Sequence, residues 1–170
     1  MLDAVMRLAI YLAPMYVANS TAMIFGGKTP IDLGRNMPDG KRVFGQGKTF
    51  RGFAFGVTLG TVTGALIWFA LPQAVGSLSG QYLLLGFLLS LGAITGDMVA
   101  SFFKRRNNIE QGKEVLFLDQ LDFAIGAMLF GSVVYVPDFY EIVAVCIVTL
   151  VAHKIFNYIA FKAKLKKVPW

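Results

Sequence analysis

Cysteine and histidine are all but missing: the 170 residues contain one of each. Cys146 lies inside an apolar run with no partner, which excludes disulfides and thiolate metal sites. His153 stands alone too, so a histidine-based metal cluster is excluded, and the residue reads as a helix-packing histidine. Charge is scarce as well. Charged residues make up 15% of the chain, against about a quarter in an ordinary soluble domain. Hydrophobic residues reach 56% and the mean hydropathy is +0.62, which makes this an integral membrane protein of one domain, 1–170, with no separate soluble module. Internal repeats are absent, unlike the paired halves common in transporters.

What is present is a series of apolar windows. A membrane-spanning helix needs about 20 mostly apolar residues, and five windows qualify: about 2–25, 53–71, 82–103, 118–136 and 139–161. The expected fold is therefore an all-α integral membrane protein with five transmembrane helices and a cytoplasmic loop rich in Gly, Lys and Arg. The first window reads as a span rather than a signal peptide, being too long and lacking a small-residue cleavage site. Pro14 is expected to kink it. Gly56, Gly60 and Gly64 form a small-residue ladder of the kind that lets helices approach closely.

The chain carries a formal charge of +6, but its cations are segregated. Fourteen of the 16 Lys and Arg fall in the 26–52 loop, the 104–117 loop and the C-terminal tail (Lys162, Lys164, Lys166, Lys167). The opposite loops, around 72–81 and 137–138, have none. The positive-inside rule then puts the N-terminus outside and the C-terminus in the cytoplasm. Segregation of this kind favours anionic lipid or nucleotide phosphates as partners and excludes nucleic acid.

The acids concentrate at one place. The stretch 96–123, GDMVASFFKRRNNIEQGKEVLFLDQLDF, joins two apolar windows through a basic loop. Asp97 sits inside the first window, with Ser101 and Lys104 on its face at i+4 and i+7. Asp119 and Asp122 open the second and share a face. A charge in the bilayer is costly and faces the bundle interior, so the three carboxylates are candidates to converge at the cytoplasmic end. Hard oxygen ligands without a Cys or His cluster select Mg²⁺. The plainer readings stay open: a buried Asp–Arg pair for Asp97, and helix N-terminal caps for Asp119 and Asp122.

The 26–52 loop, GGKTPIDLGRNMPDGKRVFGQGKTFRG, interleaves Lys28, Arg35, Lys41, Arg42, Lys48 and Arg51 with glycines that include Gly45 and Gly47. Glycines let backbone N–H groups close around phosphate oxygens while the cations supply countercharge. Gly47-Lys48-Thr49 suggests a P-loop, but that motif needs glycine where Arg42 stands and a preceding strand. The alternatives are a basic segment docked on anionic headgroups, with Thr49 as a helix cap. Asn19 and Lys154 are polar residues inside spans, near the same end; Asn157 shares a helix face with His153.

At these residues the sequence resembles the CDP-archaeol synthases, archaeal membrane cytidylyltransferases related to bacterial CDP-diacylglycerol synthase. PIDLGRNMPDGKRVFGQGKTFRG, GDMVASFFKRR and FLDQLDF carry the resemblance. The bacterial relatives follow a basic loop with Pro-Gly-His-Gly-Gly and Asp-Arg-x-Asp. Here only the basic loop and the spacing Asp119-Gln-Leu-Asp122 match, which favours the archaeal branch. The resemblance implies CTP and an isoprenoid glycerol phosphate lipid as substrates, Mg²⁺ as cofactor, and a cell-membrane enzyme of phospholipid biosynthesis acting at the cytoplasmic face. Asp97, Asp119, Asp122 and Lys104 would be catalytic, the three acids holding the metal. Arg35, Lys41, Arg42, Gly45, Gly47, Lys48, Thr49, Arg51, Ser101, Arg105, Asn19 and Lys154 would bind substrate. Related enzymes can dimerise, so a homodimer is among the expectations. Two other classes fit the sequence less well. A CDP-alcohol phosphotransferase would need an Asp-Gly…Ala-Arg…Gly…Asp…Asp pattern that is absent, and a small transporter would need polar groups beyond the cytoplasmic third.

Overall fold

The computed structural model describes residues 2–113 and 115–162, apart from a few side chains at the chain's start and in the last helix, Asn157 among them. Of the basic tail it describes Lys162, while Lys164, Lys166 and Lys167 lie outside the described residues. Every regular element among these residues is a helix: α1 Leu2–Ile24, α2 Phe50–Ala70, α3 Pro72–Leu78, α4 Tyr82–Arg106, α5 Leu118–Gly131 and α6 Phe139–Lys162. The central packing is α1 on α2, α2 on α4 and α4 on α5, with α6 against α5 and α1.

Two of these helices, α2 with 21 residues and α4 with 25, are long and apolar enough to cross a membrane. In α2 the polarity of burial shows why. Its buried residues are the glycines Gly52, Gly56, Gly60 and Gly64, while Val62, Leu66, Trp68 and Phe69 point outward. A helix that hides glycine and exposes large apolar side chains is built for an apolar solvent. The buried ladder is a contact surface: a Cβ on Gly56 would lie 2.9 Å from the Ala18 carbonyl oxygen and 2.7 Å from Ile94 Cδ1. On Gly60 it would lie 2.7 Å from the Pro14 carbonyl oxygen. Backbone therefore meets backbone between α1 and α2, and α4 closes in from the other side.

α1 continues through Pro14, which is buried. A proline at that position leaves the carbonyl four residues earlier without its helical donor. That carbonyl, Ile10 O, accepts instead from the Tyr82 hydroxyl at 2.6 Å. Tyr82 is 1% exposed, so the vacancy in α1 is filled by the first residue of α4, and the two helices are pinned together there.

The expected windows shift at three places. The loop at 72–81 contains α3, which starts with Pro72 in its first turn, where proline's missing N–H costs nothing. α4 runs on to Arg106, with Lys104, Arg105 and Arg106 in its last turn, where cations complement the helix dipole. α5 covers only Leu118–Gly131, 14 residues, rather than the whole of 118–136. Past Gly131 one further turn follows, Val134 and Tyr135 both donating N–H to the Gly131 carbonyl at 2.9 Å, and regular helix does not resume before α6. Pro137 follows, six residues beyond the helix end, and cannot donate to a helix.

Candidate active site

Thr49 sets where α2 begins. Its backbone is extended, and its side-chain oxygen accepts from Gly52 N–H at 3.1 Å, as a helix N-cap does. The same oxygen accepts from Gly27 N–H at 3.0 Å. One buried hydroxyl thus ties the start of the 26–52 loop to its end. Between these points Pro30 pairs with Thr49 and Asn36 with Arg42 as isolated antiparallel bridges.

The loop is organised around an acid, Asp32. Its carboxylate is buried and accepts from the backbone N–H of Gly34 at 3.1 Å, Phe44 at 3.1 Å and Gly45 at 3.0 Å. The Arg42 guanidinium donates to both of its oxygens. Burial by itself would push this carboxyl up, but Arg42 and the three backbone donors outweigh it and hold the group well below the usual carboxylate range. Gly45 adopts φ +96°, a left-handed conformation that favours glycine. The loop also grips the end of α4. Lys41 Nζ donates to the Arg106 carbonyl at 2.8 Å, and Arg106 donates to Asp39 at 2.9 Å and to the Lys41 carbonyl at 3.1 Å.

The acids of α4 and α5 meet through a second close crossing. A Cβ on Gly92 or Gly126 would strike the other's carbonyl oxygen, and one on Gly96 would strike the Asp122 carbonyl oxygen. Asp97 follows Gly96 directly, so this contact brings α4 and α5 acids to the same depth. Lys48 Nζ reaches in from the loop and lies 2.6 Å from each Asp97 oxygen. Lys104 Nζ lies 2.8 and 2.7 Å from the two Asp119 oxygens and also donates to the Lys113 carbonyl at 2.7 Å. Asp119 accepts from Val115 N–H at 2.9 Å. It does not cap its helix: the N-cap is Phe117, which has φ +66° and makes no side-chain cap bond.

A cavity of about 550 Å³ opens between these groups. Asn19, Gly47, Lys48, Thr49, Asp97 and Asp119 line it together, with His153 from α6. Tyr16, Met23, Phe53, Met98 and Phe123 make an apolar wall beside them. The other candidates stand around this group. Asp122 is half-buried and outside the cavity lining, within electrostatic reach of Asp97, Lys48 and Asp119, and its Oδ1 accepts from Phe123 N–H at 2.6 Å. Lys104 lies at the rim through Asp119, and Ser101 is half-buried one turn beyond Asp97. Arg105 packs beside Gly45 and Gln111, and its Nε is buried without a hydrogen-bond partner. Lys41 and Arg42 are tied up in the loop knot. Arg35 and Lys154 are exposed, and Arg51 is exposed over the Phe55 ring at 5.4 Å.

Sequence reasoning passed over Asp32, Gln111 and the cavity position of His153. The first had a signal: a lone Asp-x-Gly amid cations is a turn-forming pattern. Gln111, whose Oε1 accepts from Gln46 N–H at 3.1 Å, had none. As for a metal, no three Asp, Glu, His or Cys side chains cluster as a cage among the described residues. Two carboxylates opening on one cavity are nevertheless the donor set Mg²⁺ uses when substrate phosphates and waters complete its shell. The residues fit an ion shared with a substrate.

The CarS-like family, described as CDP-archaeol synthase, matches residues 1–170. A CDP-archaeol synthase of Methanocaldococcus jannaschii is 45% identical over 166 residues, 94% of each chain. One from Thermococcus onnurineus is 48% identical over 160 residues, again 94% of each. This chain belongs to the CDP-archaeol synthase family. A solved structure of an intramembrane enzyme for archaeal membrane lipids biosynthesis matches it with a TM-score of 0.79 at 34% identity, covering 88% of this chain and 91% of the other. Membership of the CDP-archaeol synthase family makes the chain a membrane enzyme, a nucleotidyltransferase, and the transporter reading falls away.

Proposed function

We propose that this enzyme transfers CMP from CTP to an archaeal isoprenoid diether glycerol phosphate, releasing pyrophosphate and leaving CDP-archaeol in the membrane. The lipid phosphate is already ionised near neutral pH, so it needs no general base. Its oxygen attacks the α-phosphorus of CTP while the bond from that phosphorus to the β-phosphate bridging oxygen breaks, and the electron pair departs with pyrophosphate. The difficulty is bringing two polyanions together, which fixed positive charge and positioning overcome.

One observation carries the reading: carboxylates, a lysine, glycine backbone and large apolar side chains line a single cavity. Asp97 and Asp119 would hold Mg²⁺ jointly with the nucleotide phosphates, with Asp122 reinforcing their field. Such an ion neutralises phosphate charge and fixes the geometry of the triphosphate. Lys48 and Lys104 neutralise the same carboxylates while no substrate is bound, and their ammonium groups are within a side-chain swing of an arriving phosphate. Gly26, Gly27 and Gly47 bring bare backbone to the cavity lining. Arg105, in the last turn of α4 beside the loop glycine Gly45, is the cation we assign to the second anion. The apolar wall from Tyr16 to Phe123 receives the start of the isoprenoid chains.

The membrane arrangement belongs to the same proposal. The chain crosses five times, with α3 outside, the N-terminus outside, and the cavity and basic loops at the cytoplasmic face. The cation distribution supports this. The test is incorporation of labelled CTP into lipid by the purified protein, with ether and ester glycerol phosphates as acceptors and Mg²⁺ supplied or withheld. Labelled diether product requiring Mg²⁺ is expected, and its absence with every acceptor overturns the reading.

A further inference from the structure

The segment between α4 and α5 turns its largest apolar side chains outward. Leu116 is 63% exposed and Phe117 60%. Phe117 also has φ +66°, a left-handed backbone that Gly or Asn takes readily and a bulky aromatic seldom does. Folding alone disfavours this residue twice, since glycine would fit the turn better and a polar side chain would suit water better. Strain of this kind persists where a side chain serves something outside the fold.

The adjoining helices say what covers the segment. Leu118, the first residue of α5, shares a face with Ile125 and Leu129 at i+7 and i+11, and all three are exposed. Val99 and Phe103 make an exposed pair at i+4 near the end of α4. In a membrane enzyme such stripes face hydrocarbon, and Leu116 and Phe117 stand directly before the α5 stripe. Cations lie alongside: Lys113, with its side chain 65% exposed, and Lys104, Arg105 and Arg106 in the last turn of α4. Large apolar side chains next to Lys and Arg are the pairing that holds a segment at an anionic membrane surface. The segment is also tied to the site. Val115 N–H donates to Asp119, and Lys104, which holds the same carboxylate, donates to the Lys113 carbonyl. The depth of Leu116 and Phe117 therefore sets the height of Asp119 and Lys104 at the membrane surface.

We infer that Leu116 and Phe117 insert into the hydrocarbon of the leaflet on the side of the basic loops, and that this insertion seats the site at the level where a lipid phosphate arrives. Phe117 is a positioning residue, touching the bilayer rather than the reacting atoms. Insertion itself rests on exposure, backbone geometry and the stripe in α5. Its role in seating the site rests on the lipid-phosphate reaction proposed above.

The test uses the full chain in vesicles of phosphatidylcholine with an equal share of phosphatidylglycerol. In a Cys146→Ala background, a nitroxide is attached at Leu116→Cys, Phe117→Cys, the lipid-facing control Leu129→Cys or the exposed loop control Pro38→Cys, one per protein. Labels at 116 and 117 should collide with dissolved oxygen several-fold more than with a water-soluble nickel chelate, as the label at 129 does, and the label at 38 should do the reverse. Nickel access at 116 and 117 matching that at 38 overturns insertion. Shielding from both reagents overturns it too, since a protein surface would then cover the segment. These readings need no turnover, so they stand or fall apart from CMP transfer. The positioning role is read separately. Phe117→Asn suits the left-handed backbone, so its melting temperature should match or exceed that of the wild type. Its KM for the lipid phosphate should rise about tenfold, the loss expected for one large apolar side chain, while its KM for CTP stays unchanged. An unchanged lipid KM, or an equal rise in both KM values, overturns that role.

Discussion

Asp32 and Asp97 are both acids set among the cations of the same loop, yet they are held in opposite ways. Asp32 is saturated by donors that cannot leave, three backbone N–H groups and a guanidinium. Asp97 is paired with one flexible ammonium, Lys48 Nζ, and faces a cavity. Asp119 repeats the second pattern with Lys104. A carboxylate surrounded by fixed donors has no capacity for a ligand, whereas one held by a lysine can exchange its partner. The kind of donor, rather than the presence of charge, separates the acid that builds the loop from the acids available for chemistry.

That contrast can be broken by mutation. Asp97→Asn should lower CMP transfer about a thousandfold with little change in melting temperature. Equal loss of turnover in a fully folded Asp32→Asn protein would erase the distinction. Asp32→Ala should instead destabilise the loop by about 3 kcal/mol, because it strands the Arg42 charge. Faster proteolytic nicking within 26–49 and a lower melting temperature would report it. Gly126→Val, which drives a side chain into the Gly92 carbonyl, should cost about 2 kcal/mol and separate the acids of α4 and α5, so Mg²⁺-dependent protection by CTP should weaken alongside stability. Thr49→Ala should cost about 1 kcal/mol, and Thr49→Ser should recover most of it.

The pH dependence sharpens the same comparison. Asp32 has a folded pKa below its unfolded value, so its contribution is complete above the unfolded carboxylate pKa of about 3.9. It is lost as pH falls further, through the folded value. Loop integrity, followed by limited proteolysis, should therefore hold down to about pH 4 and fail below it. In Asp32→Asn that acid transition should disappear.

Much of this was legible in the sequence because it is written locally. The glycine spacing at 56, 60 and 64 announced a close helix crossing, and the crossing is there. Thr49 before an apolar window announced a helix start, and it caps α2. The acids at 97 and 119 were visible as costly charges in apolar windows, and they share a cavity. The partners of those acids were not visible. Lys48 is 49 residues from Asp97, and nothing in either segment encodes that distance. α5 looked longer because Val133, Val134 and Val136 continue its apolar run, although the backbone turns at Gly131. His153 reads as a packing residue because it has no company in the sequence, while its company at the cavity comes from other parts of the chain.

Thr49 also has a bearing on how this protein can vary. Its one oxygen closes the segment between Gly27 and Thr49, a sequence separation of 22, while it also caps Gly52. Lengthening such a closed segment at its exposed tip costs only slowly more, since closure entropy grows with the logarithm of length. Insertions near Pro38 should accordingly be absorbed as surface ornament, while Lys48, next to the knot, stays aimed at the same acid.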